Sequence, residues 1–224
     1  METIHRREKA TLVAACPVIL LGLVNGTYKE ALYSNPALYW VVDITQWIVL
    51  PLVCLALLYS RARVGPSDYG LSLPGRSYPV WEMVGAALLA MLLLGAAYWG
   101  LTTFLWRFPG FEAPTFTHHS IIPDGPGKIA VVTYLALTAG VVEEIFFRGL
   151  PWFGLRIITN QNSRRFIYII GTSILFGLIH WENGTPEILA TFVYGVIAAF
   201  LYLKLLNLWP LIGAHVLLDI LEFW

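Results

Sequence analysis

Charged side chains are scarce in this sequence. Lysine, arginine, aspartate and glutamate together make up 12% of its 224 residues, about half of the roughly 25% that is usual in soluble domains. Hydrophobic residues reach 58%, and the mean hydropathy is +0.68. We therefore expect an integral, multi-pass membrane protein whose apolar segments lie in the lipid bilayer.

The chain also has no net charge and few cysteines. The 14 basic and 14 acidic residues give a formal net charge of zero, so there is no electrostatic footprint for nucleic acid and no nucleic-acid partner is expected. The two cysteines, Cys16 and Cys54, lie in apolar runs without metal-ligand spacing, which argues against a disulfide framework. No internal repeat divides the chain, so residues 1–224 are expected to form one domain.

Apolar runs long enough to cross a membrane predict an all-α bundle of about seven to eight transmembrane helices. Each span needs about 20 mainly apolar residues, and stretches rich in glycine, proline and polar residues separate the runs. Residues 160–165 are expected to form one such polar turn. The predicted spans are 10–24 (with a possible extension to 32), 36–59, 80–106, 128–158, 166–181, 187–205 and 211–224.

The distribution of basic residues predicts the orientation. With the N-terminus inside, the inner segments hold 11 of the 14 arginines and lysines, and the outer segments hold only Lys29, Arg107 and Lys128. The positive-inside rule then favours a cytoplasmic N-terminus. We expect a location in a bacterial inner membrane or plasma membrane.

Two adjacent carboxylates and an arginine interrupt the fourth apolar run. A charge near the bilayer centre costs about 2.5–3.5 kcal/mol on insertion scales, so ionisable groups there indicate function. Glu144 and Arg148 are four residues apart and can pair on one helix face, whereas Glu143 is rotated by about 100°. One carboxylate can therefore be neutralised while the other is left for chemistry. The alternative to a functional site is that one glutamate forms an ion pair with Arg148 that only stabilises helix packing, and that the other glutamate has no role.

Three more ionisable residues lie in later apolar runs. His215 and Asp219 are four residues apart, so they project from one helix face. The alternative to a functional role is a hydrogen bond between the two side chains that only neutralises the pair. His180 stands beside Trp181 near a span end, where an interfacial or core role is the alternative. We hypothesise that these groups meet Glu143 in a polar cavity and form a hydrolytic site.

Other ionisable residues in apolar or loop segments carry weaker signals. His118 and His119 are expected to be exposed residues of the loop 107–127, since no third metal ligand is near them in sequence. Asp43 is a lone acid in the second span. It could pair with an arginine or line the cavity, and the sequence leaves both possibilities open.

Three blocks in the C-terminal half, within residues 128–224, together resemble one family. Glu143-Glu144-x-x-x-Arg148, Phe176-x-x-x-His180 and His215-x-x-x-Asp219 occur in this order on successive spans. They are similar to the motifs of the CAAX-protease and bacteriocin-processing family of intramembrane proteases (the Rce1-like, or ABI, proteins). The resemblance implies a helical bundle around a polar active-site cavity.

The resemblance also implies roles for the motif residues. Glu143 would activate a water molecule as general base, His180 would help to hold that water, and His215 would polarise the scissile carbonyl. The last position is often asparagine in the family, where an amide can donate to an oxyanion. An ionised Asp219 cannot donate, so it would orient His215 or be kept protonated.

Metal dependence is the main alternative within this chemistry. Glu143, His180 and His215 are also ligand types that zinc accepts, and the family has been described both as glutamate-type and as metal-dependent. Because no His-Glu-x-x-His motif is present, we expect water activation without a cofactor, with zinc as the alternative.

The function expected from the resemblance is that of an intramembrane endopeptidase. Its substrates would be membrane-anchored proteins or peptides that carry a leader or a C-terminal tail, with CAAX-type processing. Two alternatives from other classes are a proton-coupled transporter, in which the same residues form a relay, and a non-catalytic bacteriocin-immunity protein. A transporter would often have pseudo-symmetric halves, and we find none in the sequence.

Overall fold

The computed structural model describes residues 2–32, 34–72, 79–111 and 121–224, and every regular element in these ranges is helical. The protein is an all-α membrane protein, as predicted. His118 and His119 lie outside the described residues. The α-helices are α1 (Glu2–Leu23), α2 (Asn25–Leu32), α3 (Pro36–Ile44), α4 (Leu50–Ala62), α5 (Val80–Leu105), α6 (Lys128–Glu144), α7 (Leu150–Gly154), α8 (Gln161–Leu178), α9 (Thr185–Leu205) and α10 (Trp209–Phe223).

Within the described ranges, four helical stretches are long and apolar enough to cross a membrane: Pro36–Ala62, Val80–Leu105, Lys128–Ile157 and Thr185–Leu205. The sequence predicted seven spans, and the other three fall short for physical reasons. The helix α10 has only 15 residues, whereas a span needs about 20. The first turns of α1 and α8 are polar or charged.

The predicted polar turn at residues 160–165 is wrong. Asn160 is the N-cap of α8, because its side chain accepts a hydrogen bond from the backbone N–H of Ser163 at 3.0 Å. Asparagine favours both turns and helix N-caps, so composition alone did not separate the two. At its other end α8 stops at Leu178, and His180 therefore lies beyond the helix.

Two of the spanning stretches contain a wider π-helical turn just before a Leu-Pro pair. The backbone N–H of Leu50 bonds the carbonyl of Thr45, and that of Leu150 bonds the carbonyl of Ile145. A proline in a helix lacks an N–H and clashes with the carbonyl four residues earlier. The wider turn accommodates that defect, so the helix continues past Pro151 as predicted.

Small residues allow the helices that carry the motifs to approach closely. In the bundle α10 packs against both α5 and α6, and α8 packs along α9. A Cβ atom on Gly140 of α6 would lie 2.6 Å from Cγ2 of Val216 on α10, and one on Gly195 of α9 would lie 3.0 Å from Cα of Ser173 on α8. Neither position has room for a larger residue without movement of a helix.

Candidate active site

The predicted ionisable residues converge on one open cavity. Glu143 from α6, His180 from the turn after α8, and His215 and Asp219 from α10 all line it. The cavity has a volume of about 1040 Å³, which includes its open mouth. Residues far apart in sequence are therefore brought to one place by the packing of α6, α8 and α10.

Glu144 connects His215 to Arg148. Its Oε1 accepts a hydrogen bond from Nδ1–H of His215 at 2.9 Å, and its Oε2 lies 3.5 Å from Nε of Arg148. Both Glu144 and Arg148 are fully buried. The predicted pairing of Glu144 with Arg148 is thus present, and the same carboxylate also orients the imidazole.

Two carboxylates lie on the other side of the same imidazole. Oε2 of Glu143 and Oδ1 of Asp219 are each 3.7 Å from Nε2 of His215, which is beyond hydrogen-bond distance. The private His–Asp hydrogen bond considered from the sequence is therefore not formed. Oε2 of Glu143 is buried and has no hydrogen-bond partner in the described part of the chain.

His180 presents a free ring nitrogen. Its Nδ1 donates to the backbone carbonyl of Phe176 at 2.8 Å, and a carbonyl oxygen can only accept, so in the neutral ring the proton is on Nδ1. Nε2 then carries a lone pair that can accept a hydrogen bond or bind a metal. Because His180 lines the cavity, it lies with the other site residues.

Aromatic rings hold the arginine and the second histidine. The guanidinium carbon of Arg148 lies 4.0 Å from the ring centroid of Phe176, a cation–π contact. Phe176 stacks on Tyr194 at 5.6 Å between centroids, and the Tyr194 ring lies 5.3 Å from that of His215. Sequence reasoning missed Tyr194, because a lone tyrosine in an apolar helix carries no motif signal.

The wall opposite these residues is also polar. Asp43 lines the cavity, and its Oδ2 accepts a hydrogen bond from the hydroxyl of Tyr134 at 2.7 Å. Lys29 of α2 lies in the same wall and is buried. Of the two possibilities for Asp43, the structure supports the cavity-lining one.

Glu182 lies in the turn between α8 and α9, at the same wall. Its Oε1 accepts a hydrogen bond from Nδ2 of Asn25 at 3.2 Å. Burial raises the pKa of the Glu182 carboxyl above its ordinary value, and the nearby Lys29 ammonium opposes the rise. Among the described residues, the cavity wall therefore combines the Lys29 ammonium with several carboxyl groups.

The residues present do not form a metal centre as they stand. Among the described residues, no three histidine, cysteine, aspartate or glutamate side chains are arranged to hold a metal ion. The donor types of Glu143, His180 and His215 suit zinc, but their placement does not supply a three-ligand set. No step of the chemistry below is assigned to a metal.

Residues 125–221 match the family model described as Type II CAAX prenyl endopeptidase Rce1-like. This match, in an all-α membrane protein, defines the class of protein, which is an intramembrane protease that acts on a peptide or protein substrate. This part of the chain is thus an Rce1-like domain, which confirms the family that the three motifs predicted. No curated protein and no solved structure is significantly similar to the chain.

Proposed function

We propose that the chain is a glutamate-type endopeptidase that cleaves membrane-anchored proteins near a leader or C-terminal tail, in the manner of CAAX processing. The observation that supports this most directly is the placement of Glu143. Glu143 lines the cavity, and its buried Oε2, which has no hydrogen-bond partner in the described residues, lies 3.7 Å from Nε2 of His215. A carboxylate in that position can take a proton from a water molecule bound between it and the substrate.

The other motif residues support the same reaction. The bare Nε2 of His180 can accept a hydrogen bond from the attacking water. Three carboxylates lie within 3.7 Å of the two nitrogens of His215 and stabilise a positive charge on the ring. In that form Nε2–H can polarise the scissile carbonyl.

Glu144 and Arg148 have a supporting role in this proposal. The carboxylate of Glu144 fixes the orientation of the His215 ring, and Arg148 balances the negative charge of Glu144, which is fully buried. Asp219, four residues after His215, adds negative charge on the substrate side. The roles of all six residues are part of the proposal.

The test is cleavage of a fluorogenic farnesylated CAAX peptide by the purified protein in proteoliposomes. Loss of a general base typically lowers the rate by about 10²–10⁴-fold, so Glu143→Gln should abolish measurable turnover. Glu82→Gln, which changes an exposed acid at the start of α5, is the matched control and should turn over at the wild-type rate. Normal cleavage by Glu143→Gln would contradict the proposal.

We also propose, from the distribution of basic residues, that the N-terminus is cytoplasmic in a bacterial inner or plasma membrane. We propose that the chain is a single domain because its sequence contains no internal repeat. Protease protection of an N-terminal epitope tag in right-side-out vesicles tests the orientation. The tag should be protected in intact vesicles and digested after detergent is added. Digestion in intact vesicles would contradict it.

A further inference from the structure

Tyr194 contributes a buried hydroxyl to the cavity wall. The residue lies on α9, is 5% exposed and lines the cavity. Its hydroxyl oxygen has no hydrogen-bond partner in the described residues. A buried polar group without a partner costs about 1–3 kcal/mol, so in native proteins such a group usually has a functional or solvent partner.

The other hydroxyl groups of the described cavity wall are already engaged. Tyr98 donates to Oε1 of Glu187 at 2.6 Å. Thr138 and Thr191 each donate to a backbone carbonyl one turn earlier in their own helix, at 2.8 Å and 2.7 Å. Tyr194 is therefore the residue of this wall whose hydroxyl has no hydrogen-bond partner among the described residues.

Packing holds the Tyr194 ring in a fixed place beside the reacting groups. It stacks on Phe176 with an interplanar angle of 22°, and the Phe176 ring in turn lies under the guanidinium of Arg148. The close approach of α8 and α9 at Gly195 brings these rings into contact. A rigid ring attached to a free hydroxyl is the arrangement expected of a preorganised donor.

The hydroxyl also lies among the charges of the site. The ionisable groups that act on the Tyr194 phenol are Glu144, Arg148, Asp219 and Glu143. On the substrate side of His215 the nearest groups are the Glu143 and Asp219 carboxylates, which accept hydrogen bonds when ionised and cannot donate. Hydrolysis of a peptide bond needs donors at the carbonyl oxygen, because that oxygen becomes negatively charged.

We propose that Tyr194 is a catalytic residue that stabilises the oxyanion of the tetrahedral intermediate, an inference that rests on the endopeptidase function proposed above. As the water oxygen bonds to the carbonyl carbon, Glu143 takes one proton from the water. The carbonyl π electrons move to the oxygen, and the Tyr194 O–H donates to it together with Nε2–H of His215.

The intermediate then collapses with the same proton balance. The oxygen electron pair re-forms the carbonyl, the C–N bond breaks, and the proton held by Glu143 goes to the leaving nitrogen. The new carboxylic acid releases its own proton to solvent, so the products are a carboxylate and an amine. Tyr194 keeps its proton throughout and acts only as a hydrogen-bond donor.

The experiment compares Tyr194→Phe with Tyr168→Phe in the farnesylated-peptide assay. The first change removes the hydroxyl and keeps the ring that stacks on Phe176. Tyr168 is the matched control, because its hydroxyl is also buried without a partner in the described residues but does not line the cavity. Removal of one oxyanion donor lowers kcat by about 10²–10³-fold; Tyr194→Phe should show this drop with KM within about twofold of wild type, and Tyr168→Phe should not.

A second measurement separates catalysis from structure. A phosphinate analogue of the peptide mimics the anionic tetrahedral intermediate, and its Kd should weaken in Tyr194→Phe by about the same factor as kcat falls. The Tm should stay at the wild-type value. An equal loss of kcat in Tyr168→Phe, or an unchanged Kd for the phosphinate, would overturn the inference in favour of a structural role.

The two proposals fail in different ways. Wild-type kcat in Tyr194→Phe, with turnover abolished in Glu143→Gln, would overturn the role of Tyr194 and leave the proposed endopeptidase intact. Equal rates in wild type and Glu143→Gln would overturn the proposed mechanism and, with it, the role of Tyr194. The same set of preparations therefore decides both questions.

Discussion

Replacement of Gly140 by alanine should move α10, which carries His215, away from α6, which carries Glu143 and Glu144. The added Cβ would lie 2.6 Å from Cγ2 of Val216 and 3.1 Å from its backbone nitrogen. Because the second contact is with backbone, a change of rotamer cannot relieve it, and α10 has to move away from α6. Val216 directly follows His215, and Gly140 is one helical turn before Glu143 and Glu144, so the movement acts on the reacting groups.

The size of the effect follows from these distances. The 3.1 Å contact with backbone requires the helices to separate by a few tenths of an ångström. Because carbon atoms pack at about 3.5–4.0 Å, the 2.6 Å contact requires a shift of up to about 1 Å where the Val216 side chain does not turn away. Either movement lengthens the 2.9 Å bond between Glu144 and His215. A misplacement of about 1 Å can cost about 10²-fold in rate. Overpacking costs about 1–3 kcal/mol, and the better helix propensity of alanine returns about 1 kcal/mol. The free energy of unfolding should therefore fall by only about 0–2 kcal/mol.

The assay pairs turnover of the farnesylated peptide with thermal unfolding in detergent. Gly100→Ala is the matched control, because an added Cβ at Gly100 on α5 meets nothing within 4 Å, and it should keep full activity. Val216→Ala in the Gly140→Ala background removes the 2.6 Å contact and leaves the one at 3.1 Å, so part of the activity should return. Full activity of Gly140→Ala alone, or no recovery in the double variant, would refute the reasoning.

Four further predictions test the surroundings of the site. Arg148→Met leaves the buried Glu144 carboxylate without its cation, so the free energy of unfolding should fall by about 3–5 kcal/mol; an unchanged Tm would contradict this. Phe176→Leu removes the ring under the guanidinium, and a loss of about 0.5–2 kcal/mol for the cation–π contact should lower Tm in a thermal scan, whereas a Tm at or above wild type would argue against the contact. Dialysis against a chelator should leave peptide turnover unchanged, and a loss that zinc restores would instead support a metal. Burial raises the pKa of the Glu182 carboxyl above its ordinary 4.5, so the folded state binds that proton more tightly than the unfolded state and loses stability as the pH rises above 4.5. Glu182→Gln should therefore show a smaller drop in Tm over that rise, and an equal drop would count against it.

Local spacing accounts for the parts of the site that the sequence predicted. The four-residue separation of Glu144 and Arg148 places both on one helix face wherever the helix lies, and the pair is present at 3.5 Å. The same regularity put His215 and Asp219 on one face of α10. The long apolar runs also predicted the four stretches that can span a membrane, because hydropathy over about 20 residues is a local property.

Signals that depend on context misled the sequence reasoning. Asparagine favours both turns and helix N-caps. Only the hydrogen bond from the backbone N–H of Ser163 shows that Asn160 is an N-cap. The predicted seven spans also included α1, α8 and α10, which are helices of the bundle but are too short or too polar at one end to count as spans by length and composition. A hydropathy pattern does not distinguish burial in protein from burial in lipid.

By itself the sequence determined an all-α membrane protein, the family of its C-terminal half and a set of ionisable residues that line one cavity, since these follow from composition and from spacings within single helices. Only the tertiary structure decided that Glu144 bonds His215, that Asp219 does not, and that Tyr194 lines the same cavity. The bond between Glu144 and His215 joins α6 to α10 across 71 residues of chain, and Tyr194 comes from α9. The distances between these residues depend on how closely the helices pack at positions such as Gly140 and Gly195, and no pattern within one helix encodes that.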